Sequence, residues 1–429
     1  MKVLLKEIIS DFHTRKLPDA KKREIDIPLY SGKIITLIGP RRSGKSFLFF
    51  YLINQLLAKN IKKKQIILLN FEDERLDFQQ DGLDTILQAY RELYPETDLS
   101  TCYFFFDEVQ NISGWEKFIR RIYDNYTKNI FITGSNAKLL SYEIATALRG
   151  RTVSFEVLPL SFREYLAFSA IEFDDHDAQT KSRVNIAFDK YLVEGGFPEL
   201  LPIEPSIKSR VLREYFDVMT YRDIIQRYAF SNLPVVKYFL KRISANCCSY
   251  ISIHKAYNEI RSQGFRLDKN LLYQVYEAAR NCFLCFDIKK FSYSELKEEG
   301  SERKTYFIDN GLLNVLTFKF SKNLGILLEN VIYLELRRRS FEIFYFKDKV
   351  ECDFVIQSNN TLLTAIQVSY NMQDPDTRTR EINGLLNACK KFKIKKGIII
   401  TYLDEAAFNQ DDIEIQVIPA VQFLLNKIE

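Results

Sequence analysis

The chain has 429 residues, 46% hydrophobic and 27% charged, with a formal net charge of +5. That length exceeds one ordinary core and predicts roughly two to four units with the composition of a soluble globular protein. No apolar run is long enough to span a bilayer, and the opening stretch MKVLLKEIISDFH carries acidic residues, unlike a secretory signal. A cytoplasmic protein is the expectation. Seven cysteines without a regular framework suit a reducing compartment. Cys282 and Cys285 form one CxxC inside the apolar run CFLCF and read as packing residues, since structural zinc takes about four ligands. The three histidines, His13, His176 and His254, are not clustered.

Residues 1–158 read as alternating strands and helices. Short apolar strands are expected at 34–38, 65–70, 103–106, 129–133 and 152–157, and a buried helix over 45–57. Alternation of this kind predicts a mostly parallel sheet covered on both faces. Residues 159–232 read as helical, broken at Glu194-Gly195-Gly196-Phe197-Pro198. Residues 233–320 give three helical segments and then extended runs at 283–291 and 304–308. These are the elements of a winged helix, with a helical connector as the other reading. Residues 321–429 read as a small α/β domain, a helix over 325–339 followed by strands at 343–346, 351–356 and 364–368, a helix near 379–391 and a strand at 397–401.

The chemistry begins after the first strand. Gly39-Pro40-Arg41-Arg42-Ser43-Gly44-Lys45-Ser46 fits GxxxxGK[ST], with a strand before it and a helix after it, as a phosphate loop requires. Glycines let the backbone wrap phosphate, successive amides form a nest, and the next helix adds its positive end. Residues Gly39 to Phe47 are expected to hold the nucleotide, with Lys45 on the β- and γ-phosphates and Ser46 on Mg²⁺. Tyr103-Phe104-Phe105-Phe106-Asp107-Glu108 is an apolar strand ending in two acids. Asp107 is expected to hold Mg²⁺ and Glu108 to act as general base on a water. Thr133-Gly134-Ser135-Asn136 ends another strand, and either Ser135 or Asn136 is expected to sense the γ-phosphate or orient that water. Arg149 and Arg151 are candidates for transition-state charge, in cis or from a neighbouring copy. Asn70-Phe71-Glu72-Asp73, at a strand tip, is a polar loop able to act as a switch.

The motifs GPRRSGKS, FFFDEVQ, ITGSNA, LRGR with the following LPLSFREYL, and YLVEGGFPEL resemble those of prokaryotic AAA-type ATPases. In that group a P-loop domain is joined to a C-terminal restriction-endonuclease-like domain. The resemblance implies an additional-strand P-loop fold, with one strand between the P-loop and Walker B strands, and ATP as the nucleotide. No guanine-reading [NT]KxD motif argues otherwise. Endonuclease-like domains of this type carry a helix glutamate, a strand acid and an E-x-K on the next strand. Here the corresponding residues are Glu329, Glu351 and Asp353 on one strand face, and Gln367-Val368-Ser369 in place of E-x-K. The activating lysine is absent from that position, so a non-cleaving domain that keeps a nucleic-acid or partner-binding role is expected. The competing expectations are a nucleotide-gated nuclease with metal at Glu329, Asp353 and Gln367, and a non-hydrolysing ATP-controlled switch. The basic runs Arg337-Arg338-Arg339 and 390–396 are candidate DNA contacts, and a homo-oligomer or protein partner is also expected.

Overall fold

A computed structural model describes residues 1–78, 82–136, 148–173, 177–294, 298, 301–317, 324–358 and 361–426. The chain divides into two compact units, residues 1–158 with 281–283, and residues 159–280 with 284–429.

The first unit contains α1 (Lys2–Thr14), β1 (Ile34–Ile38), α2 (Lys45–Ala58), β2 (Ile66–Asn70), α3 (Asp84–Leu93), β3 (Tyr103–Asp107), α4 (Trp115–Asn125), β4 (Ile130–Gly134) and β5 (Thr152–Glu156). Its strands form one sheet in the order β2-β3-β4-β1-β5, every pair parallel. The expected additional strand is therefore present, as β4 lies between β1 and β3. Both sheet faces are covered, so β1, β3 and β4 are buried at every residue and read as continuous apolar runs rather than alternating ones. Aromatic packing locks the centre: Phe105 stacks on Phe131 with centroids 4.6 Å apart, and Phe49 of α2 meets Phe105 edge-on at 5.1 Å. Such pairs add about 0.5–1.5 kcal/mol each beyond area burial. This is the fold of a P-loop NTPase, with the three chemistry-bearing loops at the carboxyl ends of β1, β3 and β4.

The second unit begins with α5 (Phe162–Phe168), α6 (Ala178–Glu194) and α7 (Pro205–Val218), the last continuing as a π-helical run over Met219–Gln226. Next come α8 (Leu233–Ala245), β6 (Ser249–Ile251), α9 (Ile253–Ser262), α10 (Lys269–Asn281), β7 (Cys285–Lys290), β8 (Arg303–Phe307) and α11 (Asn310–Thr317). The remainder is α12 (Leu324–Arg338), β9 (Glu342–Lys347), β10 (Glu351–Ser358), β11 (Thr361–Ser369), α13 (Pro375–Phe392), β12 (Lys396–Thr401), β13 (Ala406–Gln410), β14 (Ile413–Pro419) and α14 (Ala420–Leu425). The two extended runs expected after the three helices are present as β7 and β8, joined by the short β6.

One sheet runs through this unit in the order β13-β14-β12-β11-β10-β9-β7-β8-β6. The ribbon β6-β8-β7 and the C-terminal strands are thus one sheet, joined where Lys289 and Lys290 of β7 pair in parallel with Phe344 and Tyr345 of β9. The segments expected to be separate before and after residue 320 share hydrogen-bonded strands; the expected boundary itself lies outside the described residues. Buried Leu385, Leu386, Ala388 and Cys389 of α13 pack against this sheet. Gly384 is forced by that contact, since a Cβ there would meet the Glu351 carbonyl oxygen at 2.1 Å.

Candidate functional site

β1 ends at Ile38 and α2 starts at Lys45, so six residues must turn the chain back sharply. Gly39 has φ 156°, and a Cβ there would lie 2.1 Å from the Val157 carbonyl oxygen, so only glycine fits. Gly44 stands at the N-cap of α2 with φ 97°, and no side chain caps the helix. Uncapped first-turn amides and the positive end of the dipole are what an anion requires. Lys45 is buried, its ammonium donating to the Gly39 and Pro40 carbonyls at 3.1 and 2.9 Å. Ser43 Oγ is buried with no hydrogen-bond partner. The buried Arg23 guanidinium braces the loop, donating to the Ser43 and Leu158 carbonyls, each at 2.8 Å. Arg41 forms an ion pair with Glu72 from the β2 tip, while Arg42 and Phe47 are exposed.

The acids are wired to this loop. Ser46 Oγ donates to Asp107 Oδ2 at 2.6 Å. Thr133 Oγ1 donates to Asp107 Oδ1 and accepts the Glu108 amide at 2.9 Å. Glu108 takes a left-handed backbone, φ 54°, a conformation that costs a non-glycine residue about 1–2 kcal/mol. Its Oε2 accepts from Gln110 Nε2 at 2.5 Å, and the same amide reaches Ser135 Oγ at 3.3 Å. Its Oε1 lies 3.4 Å from Lys45 Nζ.

The two carboxyls differ in charge preference. Burial raises Asp107 above the usual carboxylate range and the Glu108 charge adds to this, outweighing its bonds from Ser46 and Thr133. Burial opposes ionisation of Glu108 too, but Lys45, Gln110 and Arg41 overcome it and hold that carboxyl below its ordinary value. The surroundings therefore favour the charged form of the acid beside the lysine more than that of Asp107. A cavity of about 380 Å³ opens beside Asp107, with Ser46, Asn70, Asp73 and Arg75 also in its wall.

Not every expected residue joins this cluster. Ser135 is hydrogen-bonded into the acid network through Gln110, and Asn136, the next residue, is buried. Arg149 and Arg151 precede β5, whose first residue pairs with Ile34, the first residue of β1. The phosphate loop follows the opposite end of β1, about 16 Å away along five strand residues. Arg151 is held there by Asp124, at 2.9 and 3.3 Å. This placement sets Arg151 at the end of β5 away from the phosphate loop of its own chain.

A second constellation lies wholly in the second unit. Glu329 on α12, Glu351 and Asp353 on β10 and Gln367 on β11 come together around a cavity of about 620 Å³. Lys304 of β8 stands among them, its side chain 2% exposed, with its ammonium 2.8 Å from Glu329 Oε1, 2.8 Å from Glu351 Oε1 and 2.9 Å from Asp353 Oδ1. Gln367 Oε1 accepts the Asp353 amide at 3.2 Å, and its Nε2 donates to Glu381 at 2.5 Å.

A profile described as an AAA domain matches residues 31–166, and two domains of unknown function, DUF8612 and DUF4143, match residues 185–323 and 324–423. A Methanocaldococcus jannaschii protein, Uncharacterized protein MJ1544, is 36% identical, with 97% of this chain and 94% of its own length aligned. The chain belongs to the family of that protein, and its residues 31–166 are an AAA domain. An uncharacterized protein of Haemophilus influenzae is 29% identical over 91% of this chain and 94% of its own. The Walker-type ATPase of Pyrococcus abyssi aligns with 66% of this chain and 90% of its own at 16% identity and a TM-score of 0.39, a likeness too distant to carry an argument.

Within this AAA-domain protein, sequence reasoning missed Thr133 and Gln110 as members of the acid network, Arg23 as the loop brace and Lys304 in the second cavity. Thr133 and Gln110 lie inside motifs that were read, ITGSNA and FFFDEVQ. Arg23 and Lys304 carry no local signal, because each is defined only by what folds against it. Among the described residues no helix is long and apolar enough to cross a membrane.

Proposed function

We propose that the first unit binds Mg·ATP and hydrolyses it, and that turnover drives a conformational change that controls binding of DNA or a protein partner by the second unit. The observation that carries this reading is the buried Glu108 carboxyl 3.4 Å from Lys45, adjoining the Ser46–Asp107 pair at the phosphate loop. Lys45 would exchange its two loop carbonyls for β- and γ-phosphate oxygens, and the amides opening α2 would hold the remaining charge. Ser46 and Asp107 offer a hydroxyl and a carboxylate side by side, hard oxygen donors that fit Mg²⁺. When bound, that ion neutralises phosphate charge.

Glu108 then takes the proton of a water aimed at the γ-phosphorus, a role that asks for a charged carboxylate near neutral pH. Gln110 holds Glu108 in place, and its buried Oε1, without a hydrogen-bond partner, is an acceptor for the same water. Contact with Gln110 favours Ser135 over Asn136 as the sensor. ATP as the base-specific choice rests on the resemblance and on the absence of a guanine-reading [NT]KxD motif, since the loop reads phosphates.

We read α8-β6-α9-α10-β7-β8 as a winged helix and the α12-to-α14 segment as endonuclease-like. Asn270, Tyr273, Gln274 and Glu277 form an exposed polar face on α10, suited to reading a partner or base edges. A nuclease in the second unit is the rival reading, favoured by the convergence of Glu329, Glu351 and Asp353 and opposed by the lysine that already fills it. Phosphate release from Mg·ATP, measured for wild type and Glu108→Gln with and without duplex and branched DNA, tests the proposal. Turnover lost in the variant and raised by DNA is the expected result; nucleotide binding without turnover under any condition would replace the motor with a binding switch.

A further inference from the structure

Three carboxylates gathered in a cavity wall are the ordinary setting of a divalent cation, and here the gathering point is taken by a side chain. We propose that the Lys304 ammonium is the resident cation of this cavity, standing where a divalent metal would bridge Glu329, Glu351 and Asp353, and that the site is therefore metal-independent. The inference concerns the second unit alone and does not rest on the ATPase reading.

The valences close around the lysine. An ammonium has three N–H donors, and each reaches a different carboxylate, at 2.8, 2.8 and 2.9 Å. The carboxylates are further supplied with donors of the protein's own. Tyr306 Oη donates to Glu329 Oε1 at 2.9 Å, Tyr250 Oη to Glu351 Oε2 at 2.6 Å, and the Val368 amide to Asp353 Oδ2 at 3.0 Å. Gln367, the fourth oxygen ligand a metal would need, has its Oε1 turned to the Asp353 amide and its Nε2 to Glu381. Among the described residues no group of three or more His, Cys, Asp or Glu is arranged to hold a metal ion. A nuclease-type divalent cation does not fit this arrangement.

The lysine is also held rigidly. β8 is the middle strand of the ribbon, and Lys304 is paired there with Tyr250 on β6 and Ile288 on β7. Three acidic groups within 2.9 Å of the buried Lys304 nitrogen offset the cost of burying its charge. Lys304 thus does two things at once. It compensates the acids and ties the ribbon to α12 and β10 by buried charge, an attachment whose loss from one side leaves uncompensated charges.

Mn²⁺ binding to the nucleotide-free full chain, followed by electron paramagnetic resonance, tests this. Wild type and Asp353→Asn are expected to bind Mn²⁺ alike, because the cavity contributes no site in either. Lys304→Met, which keeps most of the side-chain length and removes the charge, is expected to gain one Mn²⁺ site that binds at least about tenfold tighter than wild type does, and Lys304→Met/Asp353→Asn to lose it. A Mn²⁺ site in wild type that Asp353→Asn abolishes overturns the proposal, as does a folded Lys304→Met that binds no better than wild type. If Lys304→Met does not fold, recovery of its unfolding transition with added Mn²⁺ supports the proposal, and otherwise the comparison of wild type with Asp353→Asn decides it.

Discussion

The Lys45 ammonium lies 3.4 Å from the Glu108 carboxylate while donating to two carbonyls of its own loop. One buried cation thus keeps the loop closed and keeps the neighbouring acid ionised. Lys45→Ala removes the phosphate ligand and is expected to weaken ATP binding by at least about 100-fold, read with a fluorescent nucleotide. Glu108→Gln keeps the shape and removes the base, so ATP affinity should stay within about threefold while turnover falls about 100-fold or more. Equal turnover in Glu108→Gln would take the base role from that residue.

Gln110 joins Glu108 to Ser135 through one amide. Gln110→Ala and Ser135→Ala are expected to lower kcat by about tenfold or more with little change in ATP affinity, since each acts on the position of the base and its water. Asn136→Ala should do less. The reverse order in single-turnover hydrolysis would make Asn136 the sensor.

Arg23 is buried behind the phosphate loop and bound to two carbonyls. Arg23→Met leaves both acceptors unpaired, and a loss of about 2–3 kcal/mol is expected from chemical unfolding of the first unit. ATP binding should weaken in parallel, because the brace fixes the amides that hold phosphate. Unchanged nucleotide affinity in the folded variant would show that the loop orders itself without Arg23.

Arg151 stands at the far end of the sheet, paired with the partly exposed Asp124. A pair of this exposure is worth less than about 1 kcal/mol, so Arg151→Ala should leave the melting temperature nearly unchanged. Turnover of diluted enzyme should also stay within about twofold of wild type, as the cis distance requires. A fall in turnover that grows with protein concentration would instead place Arg151 in a neighbouring copy's site.

Asp309 accepts the Gly196 amide at 2.7 Å and the Leu312 amide at 2.9 Å, and burial pushes its carboxyl up to about 6 from 3.8. Between those values the folded chain holds a proton that the unfolded chain has released, so this contribution to stability is full below pH 3.8 and is lost as pH rises through about 6. A shift of roughly two units corresponds to about 3 kcal/mol. Asp309→Asn cannot titrate, so its urea midpoint should lack that component of decline between pH 4 and pH 6.5, roughly the window set by the two values. The slope is the readout, because the amide also loses one acceptor. Identical slopes in both proteins would remove Asp309 as the source.

By itself the sequence determined the nucleotide half of this protein. The loop from Gly39 to Ser46, the strand that ends in Asp107 and Glu108, and the strand that ends in Thr133 and Gly134 are each contiguous, and buried parallel strands must be apolar along their whole length. Local spacing therefore carries the strands and the chemistry of their tips, while the strand inserted between β1 and β3 was implied only by the family resemblance. Only the tertiary structure decided which groups meet. Thr133 reaches Asp107 across 26 residues and Lys304 reaches Asp353 across 49, and no local pattern marks either partner. The same holds for Arg151, which the parallel pairing of β5 with β1 sets at the end of the sheet away from its own phosphate loop. Hydrogen-bond and charge partners are properties of convergence in space, whereas loops and strands are properties of adjacency in the chain. Lys304 was therefore invisible as the partner of these acids until β8 was placed beside the carboxylates of α12 and β10.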